Sequence, residues 1–180
     1  MTDNTGGGAA REFRPLNIAI MTVSDTRTDA TDTSGDTLVK LLTEAGHQLA
    51  EKCIVPDDVY QLRAVLSRWI ADAAINAVIT TGGTGITGRD STPEAVRVLF
   101  DKEIEGFGEV FRAVSYEEIN TSTIQSRALA GVANATFLFC LPGSTGACRT
   151  GWEKIISHQL DYRTRPCNLV ELMPRVLEKG

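Results

Sequence analysis

Soft metal ligands are scarce in this chain. Two histidines, His47 and His158, stand far apart, and the four cysteines Cys53, Cys140, Cys148 and Cys167 form neither a CxxC pair nor a zinc spacing. That excludes a zinc module built on close ligand pairs and favours reduced, structural thiols. Long apolar runs are missing too, since no window approaches the roughly 20 apolar residues that a membrane helix needs. Met1 to Ala10 holds no apolar run of signal-peptide length and no basic leader, so a cytoplasmic protein is expected. Positive charge is also short. With 18 Lys and Arg against 23 Asp and Glu, the formal charge is -5, which does not suit neutralising many phosphates of a long nucleic acid. It still leaves room for a cluster of backbone donors aimed at one small anion.

What is present reads as one domain. Its 180 residues suit a single well-cored unit. Met1 to Arg14, with three consecutive glycines, reads as a flexible tail, and 15–180 as the folded body. Leu16 to Val23 is a continuous apolar run, the pattern of a strand covered on both faces. Ser34 to Ala45 carries Leu38, Leu41, Leu42 and Ala45 on one helical stripe, with Gly46 as the stop. A strand from His47 to Val55 ends at Pro56, and helical spacing returns over Asp58 to Ala73. Ala77 to Thr81 is another buried-strand run. A helix follows from Ser91-Thr92-Pro93-Glu94, where either hydroxyl can cap and Pro93 suits the first turn. Ser122 to Ala130 is expected to be helical, and Thr136 to Leu141 is a strand closed by Pro142-Gly143. A further helix carries Trp152, Ile155, Ile156 and Leu160. Strands alternating with helices argue for a three-layer α/β domain with a mainly parallel sheet.

In such sheets ligands bind beyond the carboxyl ends of the strands. Three loops there have unusual composition: Ser24 to Ser34, Gly82 to Ser91, and Pro142 to Thr145. Thr81-Gly82-Gly83-Thr84-Gly85 either punctuates the chain or forms a nest of amides that binds phosphate oxygens. It is neither a dinucleotide fingerprint nor a Walker A loop. Asp90 stands beside it, and a carboxylate next to a phosphate nest is unfavourable unless a cation such as magnesium lies between them. Asp57-Asp58 reads on spacing alone first as a helix cap, and otherwise offers a second carboxylate from a neighbouring loop. Pro142-Gly143-Ser144 repeats the strand, glycine, helix arrangement. If Ser122 to Ala130 is helical, Ser122 and Ser126 share a face with Arg127 beside it. Arg127 then either grips a phosphate bidentately or forms a surface ion pair.

These residues resemble a known family. Thr81-Gly82-Gly83-Thr84-Gly85, Arg89-Asp90-x-Thr92-Pro93-Glu94-Ala95, Ser126-Arg127 and Leu141-Pro142-Gly143-Ser144, in that order, are similar to the MoaB/MogA family of molybdenum-cofactor biosynthesis. The likeness runs from about Leu16 to about Cys167. Glu105 to Arg112, Thr121 to Arg127 and Arg163 to Asn168 resemble the MoaB branch in particular. The resemblance implies trimers, or hexamers in the MoaB branch. It also implies adenylylation of molybdopterin by ATP with magnesium. On this chain Gly82, Gly83, Thr84 and Gly85 would cradle phosphate, and Asp57 and Asp90 would act catalytically by positioning magnesium. Ser122, Ser126 and Arg127 would hold the pterin phosphate, while Pro142, Gly143 and Ser144 would approach the nucleotide. Adenylylating members often read Pro-Gly-Asn or Pro-Gly-Gln at this last stretch. A binding protein for molybdopterin or a precursor, without turnover, is therefore the alternative.

Overall fold

A computed structural model of the chain describes residues 10–178. The start of the expected tail, 1–9, lies outside the described residues. The chain alternates β1 (Asn17–Val23), α1 (Thr33–Glu44), β2 (Gln48–Val55), α2 (Val59–Ala71), β3 (Ala77–Thr81), α3 (Thr92–Arg97), β4 (Lys102–Glu103), α4 (Glu105–Ile119), β5 (Leu129–Ala133), β6 (Thr136–Leu141) and α5 (Thr145–Gly151). One six-stranded sheet in the order β2-β1-β3-β6-β5-β4 results. β2, β1, β3 and β6 run parallel, whereas β5 is antiparallel to β6 and β4 to β5.

The three layers follow from the two-residue period of the strands. Ile18 and Ile20 of β1, Ile79 of β3 and Phe139 of β6 face Leu38 and Leu42 of α1, Phe107 and Phe111 of α4, and Trp152. Their neighbours Ala19, Met21, Val78 and Leu138 face the other way, onto Leu62, Leu66 and Trp69 of α2 and Ala95 and Val96 of α3. Covering both faces is what makes these strands read as unbroken apolar runs. Trp69 is fully buried, and its indole N–H donates to Glu51 at 2.9 Å. Arg11, at the described end of the stretch read as a tail, donates to Glu171 at 2.8 Å and to the Tyr162 carbonyl at 3.3 Å.

One element corrects the sequence reading. Ser122 to Ala130 is not a helix. Asn120 takes φ +51 and ends α4, a 3-10 turn covers Asn120–Gln125, and the chain then enters β5. Leu129 to Ala133 are all buried and pair with β6, so tertiary pairing overrides the helix propensity of leucine and alanine. Gly131 is not a helix stop but a close approach: a Cβ there would lie 2.5 Å from the Phe100 ring. Asn134 and Ala135, both at positive φ, close the β5–β6 hairpin in a two-residue turn. Gly108 sits inside α4, where a Cβ would lie 2.6 Å from the Ala128 carbonyl oxygen.

Candidate functional site

The carboxyl ends of β1, β3 and β6 open into one cavity of about 600 Å³, with α4 and the 3-10 turn forming its far wall. The switch in chain direction that carries β1 to both β2 and β3 leaves this crevice, as in other open α/β sheets. Three strand ends contribute loops. Ser24 to Ser34 come from β1, Gly82 to Asp90 from β3, and Pro142 to Ser144 from β6, with Gly146, Ala147 and Thr150 of α5 beside them.

The glycine loop is fixed by close packing. Gly82 has φ +106 and a Cβ there would lie 2.3 Å from the Val23 carbonyl oxygen; Gly83 has φ +65 and its Cβ would lie 2.3 Å from the Thr92 hydroxyl. No side chain fits either place without strain. The Gly82 amide donates to Leu141 O at 3.0 Å, the Thr92 amide to Gly83 O at 2.9 Å, and the Thr92 hydroxyl to Gly82 O at 2.9 Å. The Gly83 and Thr84 amides donate to no protein acceptor among the described residues. Such amides beside a cavity are what an anion needs.

Asp90 stands at the far end of that loop. Its carboxylate accepts from the Thr87 amide at 2.8 Å and the Thr87 hydroxyl at 2.6 Å. Burial pushes its pKa up, but the Thr87 hydroxyl and amide and the Gly85 amide outweigh burial and hold it below the ordinary value. Capping falls out differently from the sequence expectation. Neither Ser91 nor Thr92 caps α3 with its side chain, because Thr92 is spent on Gly82 and the Ser91 hydroxyl donates to Asp57. Asp58 caps α2 by accepting from the Tyr60 and Gln61 amides at 3.0 and 2.9 Å.

The β1 loop supplies a floor to the site, built around a buried carboxylate. Asp32, 1% exposed, accepts from the Gly35 amide at 2.9 Å and the Thr22 hydroxyl at 2.9 Å, and pairs with Lys52 at 3.0 Å. Burial alone would raise its pKa, but Gly35, Lys52 and Thr22 together hold it below the ordinary value. The Ser34 hydroxyl donates to Gly143 O at 2.8 Å and so joins the β1 and β6 loops. Glu118 of α4 accepts from Thr150 at 2.8 Å. The sequence marks Asp32 only as a member of the Ser24–Ser34 loop expected at the site, not as a buried carboxylate paired with Lys52.

Residues 19–162 match a family profile described as "Probable molybdopterin binding domain". The chain is 58% identical over 157 residues to Molybdenum cofactor biosynthesis protein B of Escherichia coli (strain K12), covering 87% of this chain and 92% of that protein. It is 46% identical to the Bacillus subtilis (strain 168) protein of the same name, over 81% and 86% of the two chains. The chain belongs to the MoaB/MogA family. Among solved structures, a Molybdenum cofactor biosynthesis protein B superposes with TM-score 0.81 at 44% identity, covering 83% of this chain and 94% of that one. The tungsten cofactor synthesizing protein MoaB of Pyrococcus furiosus gives 0.72 at 39% identity, over 81% and 92%.

Placed in this fold, the residues that the MoaB/MogA resemblance singles out separate into two sets. Gly82, Gly83, Thr84, Gly85, Asp90, Ser122, Ser126, Pro142, Gly143 and Ser144 line the cavity, and Asp57 and Arg127 do not. Asp57 lies behind the glycine loop, where its carboxylate accepts from the Ser91 amide at 3.1 Å and from the Ser91 hydroxyl. Arg127 donates to Gly85 O at 2.6 Å and Asp90 O at 2.8 Å and pairs with Glu94. Ser122 and Ser126 reach the cavity from a 3-10 turn and the extended residue after it, not from one helix face.

Proposed function

We propose that this chain is a molybdenum cofactor biosynthesis protein that binds molybdopterin in the cavity and adenylylates it with ATP and magnesium. The observation that carries the reading is the convergence of the glycine loop, Asp90, the two serines of the far wall and the Pro142–Ser144 turn on one cavity. The 58% identical relative named Molybdenum cofactor biosynthesis protein B supports the pathway.

In this reading the terminal phosphate oxygen of molybdopterin attacks the α-phosphorus of ATP. The bond to the bridging oxygen breaks and pyrophosphate leaves with the electron pair. Catalysis here is positioning and charge neutralisation. Gly83 and Thr84 would donate amides to phosphate oxygens, and Ser122 and Ser126 would donate hydroxyls to the pterin phosphate. Gly143 and Ser144, just before α5, would face the nucleotide, with the Ser144 hydroxyl already capping the helix by accepting from the Ala147 amide at 3.1 Å.

The donor set fits magnesium in one respect. Every side-chain ligand the cavity offers is oxygen, and magnesium is commonly held by one or two carboxylates, with substrate phosphates and water completing it. Asp90 would be that carboxylate, and magnesium would supply charge neutralisation at the phosphates. Asp57 accepts from Ser91 through Oδ1 alone, and its Oδ2, beside Gly83, accepts no hydrogen bond among the described residues. Among the described residues no group of three or more His, Cys, Asp or Glu could hold a metal by itself.

A second reading, binding without turnover, has its own support in Arg127, whose guanidinium is committed to the loop and to Glu94. Incubating the purified protein with molybdopterin, ATP and magnesium separates the two. The first reading expects pyrophosphate and molybdopterin-AMP. Intact molybdopterin binding without either product would leave the second. The family resemblance further supports a cytoplasmic homotrimer or hexamer with no nucleic-acid partner; light scattering of the pure protein, with a dimer or monomer as the contrary result, tests the assembly. No described helix is long and apolar enough to cross a membrane.

A further inference from the structure

A phosphate entering this cavity meets an electrostatic difficulty. Asp32, Asp90 and Glu118 line it, and three carboxylates repel an anion at short range. Lys52 answers one of them but is matched by Asp36 as well as Asp32. The guanidinium expected to help, Arg127, has every nitrogen engaged: Nε with Gly85 O, Nη2 with Asp90 O and Nη1 with Glu94. Its backbone amide also donates to Thr84 O at 2.9 Å. Arg127 therefore ties both ends of the 85–90 excursion to one point. The next arginine in the loop, Arg89, is held by Asp25.

Among the described residues, Arg27 is the one cationic side chain that lines the cavity. It is exposed, and among the described residues it forms no ion pair; its single bond runs from Nη1 to the Thr31 carbonyl at 2.7 Å. Its loop is already shaped. The Ser24 hydroxyl oxygen accepts from the Thr26 and Arg27 amides at 3.2 and 3.0 Å, and the Thr28 amide donates to the Thr31 hydroxyl at 2.9 Å. A guanidinium anchored at one nitrogen keeps further donors in a planar fork, the geometry that grips phosphate bidentately.

We propose that Arg27 is the phosphate-binding guanidinium of this cavity, and that Arg127 is a positioning residue that holds the glycine loop in shape. The inference rests on the cavity assigned above and deepens it, with a small molecule bearing a phosphate monoester or polyphosphate as the ligand class.

Calorimetric titration with inorganic pyrophosphate and with ATP tests it without requiring molybdopterin. Arg27→Gln is expected to weaken both by roughly ten- to hundredfold, the range for losing a charge-assisted hydrogen bond, to flatten the salt dependence and to leave Tm unchanged. Arg27→Lys recovers part of the affinity. Arg127→Gln is expected instead to speed amide exchange over residues 84–91 in the ligand-free protein. Arg27→Gln binding both probes as the unchanged protein does overturns the Arg27 assignment, as does failure of the unchanged protein to bind either. Unaltered loop exchange in Arg127→Gln overturns the positioning role. If both variants behave as expected and no molybdopterin-AMP forms, the inference stands while the adenylylation reading fails.

Discussion

Gly83 and Asp90 sit at opposite ends of one loop and do different work. Gly83 is needed for shape: its φ of +65 and the 2.3 Å approach to Thr92 leave no room for a methyl group. Gly83→Ala is expected to cost about 1–3 kcal/mol of stability, read as a lower urea midpoint, and to weaken ligand binding with it. Asp90 is needed for charge. Asp90→Asn keeps an acceptor for Thr87 and is expected to leave the urea midpoint nearly unchanged while abolishing magnesium-dependent nucleotide binding. Magnesium titration at fixed ATP checks this, and unchanged magnesium dependence would count against its metal role. At this scale the sequence was informative about identity and poor about partners. Gly82, Gly83 and Asp90 could be singled out from composition and spacing, because their chemistry is unusual after a strand. That Arg127 would turn inward to two carbonyls could not, since an arginine two residues before a strand carries no record of what it faces.

Among the elements, α1 shows how a helix end becomes part of a cavity floor. Asp32 caps the helix, bonds Thr22 at the end of β1 and pairs with Lys52 of β2. Lys52→Met is expected to cost roughly 3 kcal/mol, the low end for breaking a buried pair, because Gly35 and Thr22 still serve the carboxylate. The pH dependence has a defined sign. The folded-state pKa of Asp32 lies below its ordinary value, so its stabilisation is complete above the unfolded value, about 4, and is lost as pH falls through the folded one. Urea unfolding between pH 6 and 3 checks this. The unchanged protein should lose stability more steeply below about pH 4 than Asp32→Asn does, and equal slopes would contradict it. The elements themselves were legible where the period was clear. Ala77 to Thr81 and Thr136 to Leu141 are strands with the expected ends. The stretch from Gly106 to Gly131 was not legible, because Gly108 and Gly131 serve close packing against Ala128 and Phe100 rather than punctuation.

For the molecule as a whole, the parallel core β2-β1-β3-β6 with helices on both faces was readable from the alternation of apolar runs and helical stripes. The antiparallel β4 and β5 were not, because β5 is short and rich in small residues, and only its pairing with β6 makes it a strand. The same topology places three loops, distant in sequence, on one edge, and the site depends on that gathering more than on any single motif. The most direct test of that claim is amide hydrogen exchange of the whole chain with and without molybdopterin at saturating concentration. Protection is expected to concentrate in residues 24–34, 82–90, 122–126 and 142–146, with the sheet itself unchanged. Absence of saturable protection, or protection confined to another surface, would contradict the site.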